Sequence, residues 1–353
     1  MKRLFAPLRY LLHRMAYWSE RLMDHMVVRR ARSRGDVPAL DPYRGFSTPT
    51  HAIVRGRALT ALRRTDPSEG QRLSTNLRQM VSLFITGELA DLPVVASDSR
   101  AETRTNAEGY LWLEVPREDL SPGWSEVTVE IAGHPETRVN FPVLVPRDDA
   151  RFGVISDVDD TMMETGAYSL MRNLWTSMTG NALTRHVYPD AVEMMRRLFD
   201  EGRNPVFYVS SSPWNLHAFL DRVFDRAGLV AGPMFLRDLG IARDRFIGAS
   251  HADHKGGAID SVLEANPDLE FILMGDTGQK DAHVYRAACE RHPGRICAIV
   301  LREPGPGPDT ASQEQMQAIA ALGVPLLHGP DFTGMDERLR AAGLKVSRAT
   351  DPR

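Results

Sequence analysis

Hydrophobic and polar positions change rhythm twice along the chain. At the start, Leu4, Leu8, Leu11, Met15, Trp18, Leu22 and Met26 recur at steps of three and four, which predicts one apolar helical face. Pro7 suits only a first turn, so the regular helix begins there. Residues 32–42 contain Gly, Pro and Asp and read as a linker. From about 45 to 147 the period becomes two. Ile53, Arg55, Arg57 and Leu59 open an alternating run, and residues 109–115 follow a turn at Asn106-Ala107-Glu108. Val127, Val129 and Ile131 alternate with polar residues, as do Val139, Phe141 and Val143. Turn residues every ten or so positions predict a small antiparallel sandwich, interrupted by a helical pattern at 68–86. From 148 onward, apolar runs without alternation at 152–155, 205–209, 270–274, 295–301 and 324–327 are separated by amphipathic helices. That pattern predicts an α/β fold with a parallel sheet covered on both faces.

The expected organisation is therefore a basic amphipathic helix and linker at 1–44, a β-rich sandwich-like domain at 45–147, an α/β domain at 148–345 and a tail at 346–353. With 353 residues, 42% hydrophobic and 25% charged, the composition excludes a disordered, collagenous or coiled-coil architecture. No apolar run approaches the roughly 18–20 residues of a membrane span.

Charge alters this picture. The formal net charge is −3, which argues against a nucleic-acid partner, yet residues 1–35 carry nine basic and two acidic side chains. The head is thus +7 and the remainder −10. Arg9 and Arg14 interrupt any signal-peptide core. Two readings stay open for the helix: packing on the protein or on a second copy, or lying through residues 1–30 on an anionic membrane, with Tyr10, Tyr17 and Trp18 at the headgroups. Cys289 and Cys297 form no disulfide framework, which suits a cytoplasmic protein, peripheral on the inner membrane face if the helix docks there.

In parallel sheets, chemistry sits beyond the carboxyl ends of the strands. The run at 152–155 leads into Ser156-Asp157-Val158-Asp159-Asp160-Thr161, the run at 205–209 into Ser210-Ser211-Ser212, and the run at 270–274 into Gly275-Asp276-Thr277-Gly278-Gln279-Lys280-Asp281. Lys255 opens the helical pattern before the last of these. Three strand ends thus bring carboxylates, hydroxyls and an ammonium to one crevice. A cluster of acids facing a phosphate dianion needs a hard cation with oxygen ligands, such as Mg²⁺. One Asp can then attack phosphorus, and a second, two residues on, can protonate the leaving alkoxide and later activate water. Lys255 and a hydroxyl would hold the non-bridging oxygens.

Asp157-x-Asp159-x-Thr161, Ser210, Lys255 and the Gly275-Asp276…Asp281 element resemble, in order, the four motifs of the haloacid dehalogenase superfamily. Val209-Ser210-Ser211-Ser212-Pro213-Trp214-Asn215 and Gly275-Asp276-Thr277-Gly278-Gln279-Lys280-Asp281 look closer still to the catalytic domain of actin-patch-type phosphatidate phosphatases and their bacterial relatives. The resemblance implies a Rossmann-like haloacid dehalogenase fold with a small cap. It implies Asp157 as nucleophile and Asp159 as acid–base, with Thr161, Ser210, Ser211 and Lys255 on the substrate side. Mg²⁺ would be held by Asp157, the carbonyl of Asp159, Asp276 and Asp281. An acid at position 159 suits a phosphatase or phosphomutase, with phosphatidate as the expected substrate. A soluble phosphate ester is the first alternative, and a membrane-docked interaction protein with an inactive phosphatase domain the second.

Other residues receive plainer readings. Asp160 bonds local backbone, and Gln279 and Lys280 shape their loop. His251 and His254 belong to a loop that positions Lys255, one of only four lysines in the chain. Asp190 looks like a helix cap. Arg237 and Asp238 read as an inter-element salt bridge or a substrate contact. Pro213 and Trp214 read as the crevice mouth or as core, and Cys289 as buried. Residues 162–188, with a helical stretch at 168–178, are too short for a large lid, which leaves the crevice open to a bulky substrate.

Overall fold

The structure is a computed structural model that describes residues 38–60, 87, 89–164, 187–237, 251–305 and 307–347, with backbone alone at 251–253. The N-terminal helix, the pattern at 68–86, the stretch at 168–178 and the last residues of the tail lie outside the described residues.

Seven strands build the first sheet: β1 (Ala39–Ser47), β2 (His51–Leu59), β3 (Pro93–Ala96), β4 (Glu102–Arg104), β5 (Tyr110–Pro116), β6 (Gly123–Ile131) and β7 (His134–Val145). They run in the order β4-β3-β6-β7-β1-β2-β5 as one continuous sheet, where the sequence pattern led us to expect a two-sheet sandwich. Pairing is antiparallel throughout except between β1 and β7, which lie parallel. The sheet replaces a sandwich by curling. Register breaks between Tyr43 and Phe46 in β1 and between Val129 and Ile131 in β6 bend it, and the edge strands β4 and β5 come into contact. Its concave face closes over a core that includes Leu40, Val54, Val94, Leu113, Val129 and Phe141.

β2 also departs from expectation. Its polar positions are not a solvent face: Arg55 and Arg57 are buried, like every residue of the strand after His51. Ala52, Val54 and Ala58 face the curled core, while Ile53 packs outward against the second sheet.

That second sheet is parallel, with β8 (Gly153–Asp157), β9 (Val206–Pro213), β10 (Met234–Arg237), β11 (Phe271–Asp276), β12 (Ile296–Arg302) and β13 (Leu326–Gly329) in the order β10-β9-β8-β11-β12-β13. β10 is too short to stand out as an apolar run. The apolar runs of the sequence become strands here because both faces are covered. On one face α1 (Pro189–Phe199), α2 (His217–Ala227) and α6 (Met335–Ala341) bury Met195, Leu220 and Leu339 against Val154, Tyr208 and Ile272. On the other, α3 (His251–Ala265), α4 (Asp281–Arg291) and α5 (Thr310–Ala321) bury Val262, Ala288 and Ile319 against Ile155, Phe207 and Leu273. Phe46, Ile53 and Leu144 of the first sheet enter this second cluster, so the two sheets share apolar packing. Chain order reverses at β8, where β9 lies on one side and β11 on the other. A crevice at the carboxyl ends of these strands is the expected consequence.

Candidate active site

β8 delivers Asp157 to that crevice, and the next residues turn back at once. The amides of Met162 and Met163 both donate to the carbonyl of Val158, and Asp160 adopts a left-handed conformation with φ of 58°. Asp tolerates that region better than most residues. The turn brings Asp159 alongside β9, where the Ser210 hydroxyl donates to its Oδ2 at 2.6 Å and the Ser212 hydroxyl lies at 3.4 Å. Ser210 in turn accepts from the Ser212 amide. Ser212, not Ser211, shares the face of Ser210, because strand side chains alternate. The residue after Ser210 is thereby separated from Asp159, and the one after that is brought to it.

β11 ends in Asp276. Its Oδ1 accepts from the amides of Gly278 and of Gln279, the latter at 2.8 Å, which pins the carboxylate by one oxygen. Asp281 begins α4: its Oδ2 accepts from the Asp276 amide at 3.1 Å and its Oδ1 accepts from Lys255 Nζ at 2.5 Å. The same ammonium lies 2.7 Å from Asp157 Oδ1, while the Thr161 hydroxyl donates to Asp157 Oδ2 at 3.2 Å. Thr161, expected on the substrate side, is fully buried with its hydroxyl on Asp157. The two loops are also tied to each other, since Gln279 Nε2 donates to Asp160 Oδ2 at 2.9 Å. The Asp160 side chain therefore braces the neighbouring loop.

Charge is poorly balanced in this crevice. Burial drives the Asp157 carboxyl well above its ordinary value, the nearby Asp281, Asp159 and Asp276 add to the shift, and Lys255 opposes it. Burial likewise raises Asp159, against the Ser210 hydrogen bond. Asp276 is pushed up to about 7 by burial and by Asp281, against Lys255 and its two amide donors. Burial disfavours the Lys255 ammonium, but Asp157 and Asp281 outweigh it and hold the proton on. Asp157, Asp276 and Asp281 each bring an oxygen within 4.8 Å of the others, all three are buried, and Asp276 Oδ2 has no hydrogen-bonding partner among the described residues. An all-oxygen set with a spare carboxylate oxygen fits a hard divalent cation such as Mg²⁺. Asp281 has both oxygens engaged, which suits it to orienting Lys255 and the Asp276 backbone.

Residues 152–303 match the family described as phosphatidate phosphatase APP1, catalytic domain. The chain is 30% identical over 239 residues to phosphatidate phosphatase APP1 of Saccharomyces cerevisiae, covering 64% of this chain and 40% of that protein. Residues 152–303 are thus similar to that catalytic domain. An uncharacterized protein of Schizosaccharomyces pombe is 24% identical over 235 residues, covering 64% of this chain and 37% of its own length. The chain thus spans about two fifths of the length of these curated relatives. Among solved structures, a probable phosphoserine phosphatase from Vibrio cholerae aligns at 12% identity over 70% of this chain and 79% of that one, with a TM-score of 0.32. A hydrolase of the HAD family from Salmonella enterica serovar Typhi aligns at 12% identity over 80% and 94%, with a TM-score of 0.30.

Several residues around the site escaped the sequence reading. Arg302, at the end of β12, donates Nε to the carbonyl of Thr161 at 3.2 Å and lies between the rings of Tyr188 and Phe332. Its Nη2 pairs with Asp190, whose Oδ2 also accepts from the Phe332 amide at 2.8 Å. Asp190 is therefore a bridge to Arg302 and not a cap, and the α1 N-cap makes no side-chain bond. Trp214 is half-buried against the core of the second sheet and also stacks on Tyr43 of the first. The side chain of His251 and the whole of Asp238 lie outside the described residues. A conspicuous signal for Arg302 did exist, an arginine closing an otherwise apolar strand.

Proposed function

We propose that the chain is a Mg²⁺-dependent phosphomonoesterase that works through an aspartyl-phosphate intermediate and acts on phosphatidate or a related lipid phosphate. The observation that carries this reading is the buried trio Asp157, Asp276 and Asp281 around one lysine, with Asp159 held separately by two serines. Asp157 would attack phosphorus through one carboxylate oxygen, forming the acyl phosphate bond as the ester P–O bond breaks. Asp159 would pass its proton to the departing alkoxide. It would then take a proton from water, whose oxygen attacks the same phosphorus, releasing phosphate and restoring the Asp157 carboxylate. The raised carboxyl of Asp159 suits a group that must first be an acid. Lys255 and Ser210 would hold non-bridging oxygens. Mg²⁺, held by Asp157, the Asp159 carbonyl and Asp276, would neutralise phosphoryl charge, with Asp281 a further ligand or a support.

The lipid substrate rests on the family that residues 152–303 match and on the yeast relative's name. The same reading places the domain boundaries at 44, 147 and 345, and makes residues 1–30 a dock on the cytoplasmic face of an anionic membrane. Among the described residues no helix is long and apolar enough to cross a membrane. The test is phosphate release with Mg²⁺ from phosphatidate vesicles and from soluble phosphate esters. Release from vesicles, abolished in Asp157→Asn while melting is retained, is the expected result. Release from soluble esters alone would reassign the substrate, and full turnover by Asp157→Asn would remove the mechanism.

A further inference from the structure

The curled first sheet lies outside the span matched to the catalytic family, yet it holds the turn that follows β9, the strand whose serines meet Asp159. Arg57 on β2 donates Nε to the carbonyl of Glu108 at 2.9 Å and Nη1 to Asn215 Oδ1 at 2.9 Å, with its guanidinium 4.5 Å from the Tyr110 ring centroid. Asn215 is the middle residue of the 3₁₀ turn Trp214–Leu216, which continues directly from β9. Tyr43 on β1 lies flat on Trp214, with ring centroids 5.1 Å apart and planes 6° from parallel, and its ring is 4.0 Å from that of His217 at the start of α2. The first sheet therefore holds three residues of one short segment, Trp214, Asn215 and His217. Ser212 is only three positions before Asn215, and it shares Asp159 with Ser210.

We propose that the first sheet is a positioning element for the proton-transfer step. Arg57 and Tyr43 fix the turn after β9, and through it they set Ser210 and Ser212 against the Asp159 carboxyl. A merely cohesive interface would not need a buried guanidinium forked between a carbonyl of its own sheet and a side-chain amide of the turn. Such a fork is directional, as an apolar contact is not. Misplacing a catalytic group by about 1 Å can cost on the order of 10²-fold in rate. The inference rests on Asp159 as the acid–base group.

The leaving group separates this role from general support. An alkyl phosphate expels a strongly basic alkoxide and needs the proton. A nitrophenyl phosphate expels a weakly basic phenolate and needs it little. In the full chain with Mg²⁺, Arg57→Met is expected to lower kcat on an alkyl phosphate about tenfold more than on nitrophenyl phosphate, a fraction of the 10²–10⁴-fold that acid–base help provides. Arg57→Lys, which keeps the charge without the fork, should recover part of the difference. Should Arg57→Met melt early, Asn215→Ala removes the acceptor on the turn alone and should show the same asymmetry. Equal losses on the two esters, or none, would overturn the positioning role. Asp159→Asn calibrates the assay: if it slows both esters alike, the acid–base reading falls and the proposal with it.

Discussion

Lys255→Met tests the electrostatics of the crevice most directly. The ammonium is 3% exposed and lies 2.7 Å from Asp157 Oδ1 and 2.5 Å from Asp281 Oδ1. Met keeps most of its stem and removes the charge, leaving two buried carboxylates without their cation. Breaking a buried pair in this way costs about 3–5 kcal/mol. The loss has a ceiling, because one carboxylate can take up a proton. At pH 7 that costs about 4 kcal/mol from an ordinary pKa near 3.9, and about 1.4 kcal/mol less for each unit of acidification. The two figures agree at neutral pH.

The sign follows from the same proton. The variant's folded state would hold a proton that its unfolded state has released, so its carboxyl pKa is raised on folding and its stability falls as pH rises. Thermal melting of both proteins in a chelator, from pH 6 to pH 8, is the assay. A loss of about 4 kcal/mol lowers the melting temperature by about 8–16 °C in a domain of this size, and the gap should widen toward pH 8. Mg²⁺ should narrow it by resupplying positive charge. A gap under about 2 °C at pH 8, or one that narrows as pH rises, would refute the reasoning.

Mg²⁺ stabilisation should strengthen with pH: Asp276, its carboxyl pushed up to about 7, must lose its proton to bind metal, so the half-saturating concentration in a melting titration should fall by about fivefold between pH 6 and pH 7. Arg302→Met should release Thr161 and thereby Asp157, lowering kcat by about tenfold or more with KM little changed, whereas Arg302→Lys should retain part of the rate. Ser212→Ala, at the longer of the two hydroxyl contacts to Asp159, should cost less activity than Ser210→Ala, by about 1 kcal/mol in barrier as read from kcat.

The acidic loops could be read from the chain because each follows an apolar run, and a parallel strand buried on both faces leaves no other place for polar groups than its end. β8, β9, β11 and β12 all fall within two residues of their runs at the amino end. Their carboxyl ends extend further, since Asp157, Ser210 and Asp276 are themselves in the strands. β10, at four residues, carries too little pattern to be seen. The first sheet was legible as β-rich but not in its topology. Alternation tells which residues share a face, not which strands are neighbours, and the β1–β7 pairing joins the two ends of the unit. Arg55 and Arg57 misled for a physical reason. A charged residue on an alternating strand normally marks solvent, whereas here Arg55 is caged by the rings of Phe46, Trp214 and Phe235. Burial lowers its pKa to about 9, which still leaves it charged at neutral pH. Likewise, nothing local distinguishes Ser212 from Ser211 until the strand face is known.

The shared packing of the two sheets also bears on how the chain is made. The first sheet is complete once Val145 has been synthesised, with Phe46, Ile53 and Leu144 on its outer face. Their partners Val209 and Phe235 arrive later. At about 5–20 residues per second, the stretch from Val145 to Phe235 takes on the order of 5–20 s to translate. Through that interval the nascent chain presents an apolar patch beside a cationic Arg55 that has not yet met Trp214 or Phe235. The order of synthesis therefore leaves the outer face of the first sheet open to misassociation until β9 and β10 cover it.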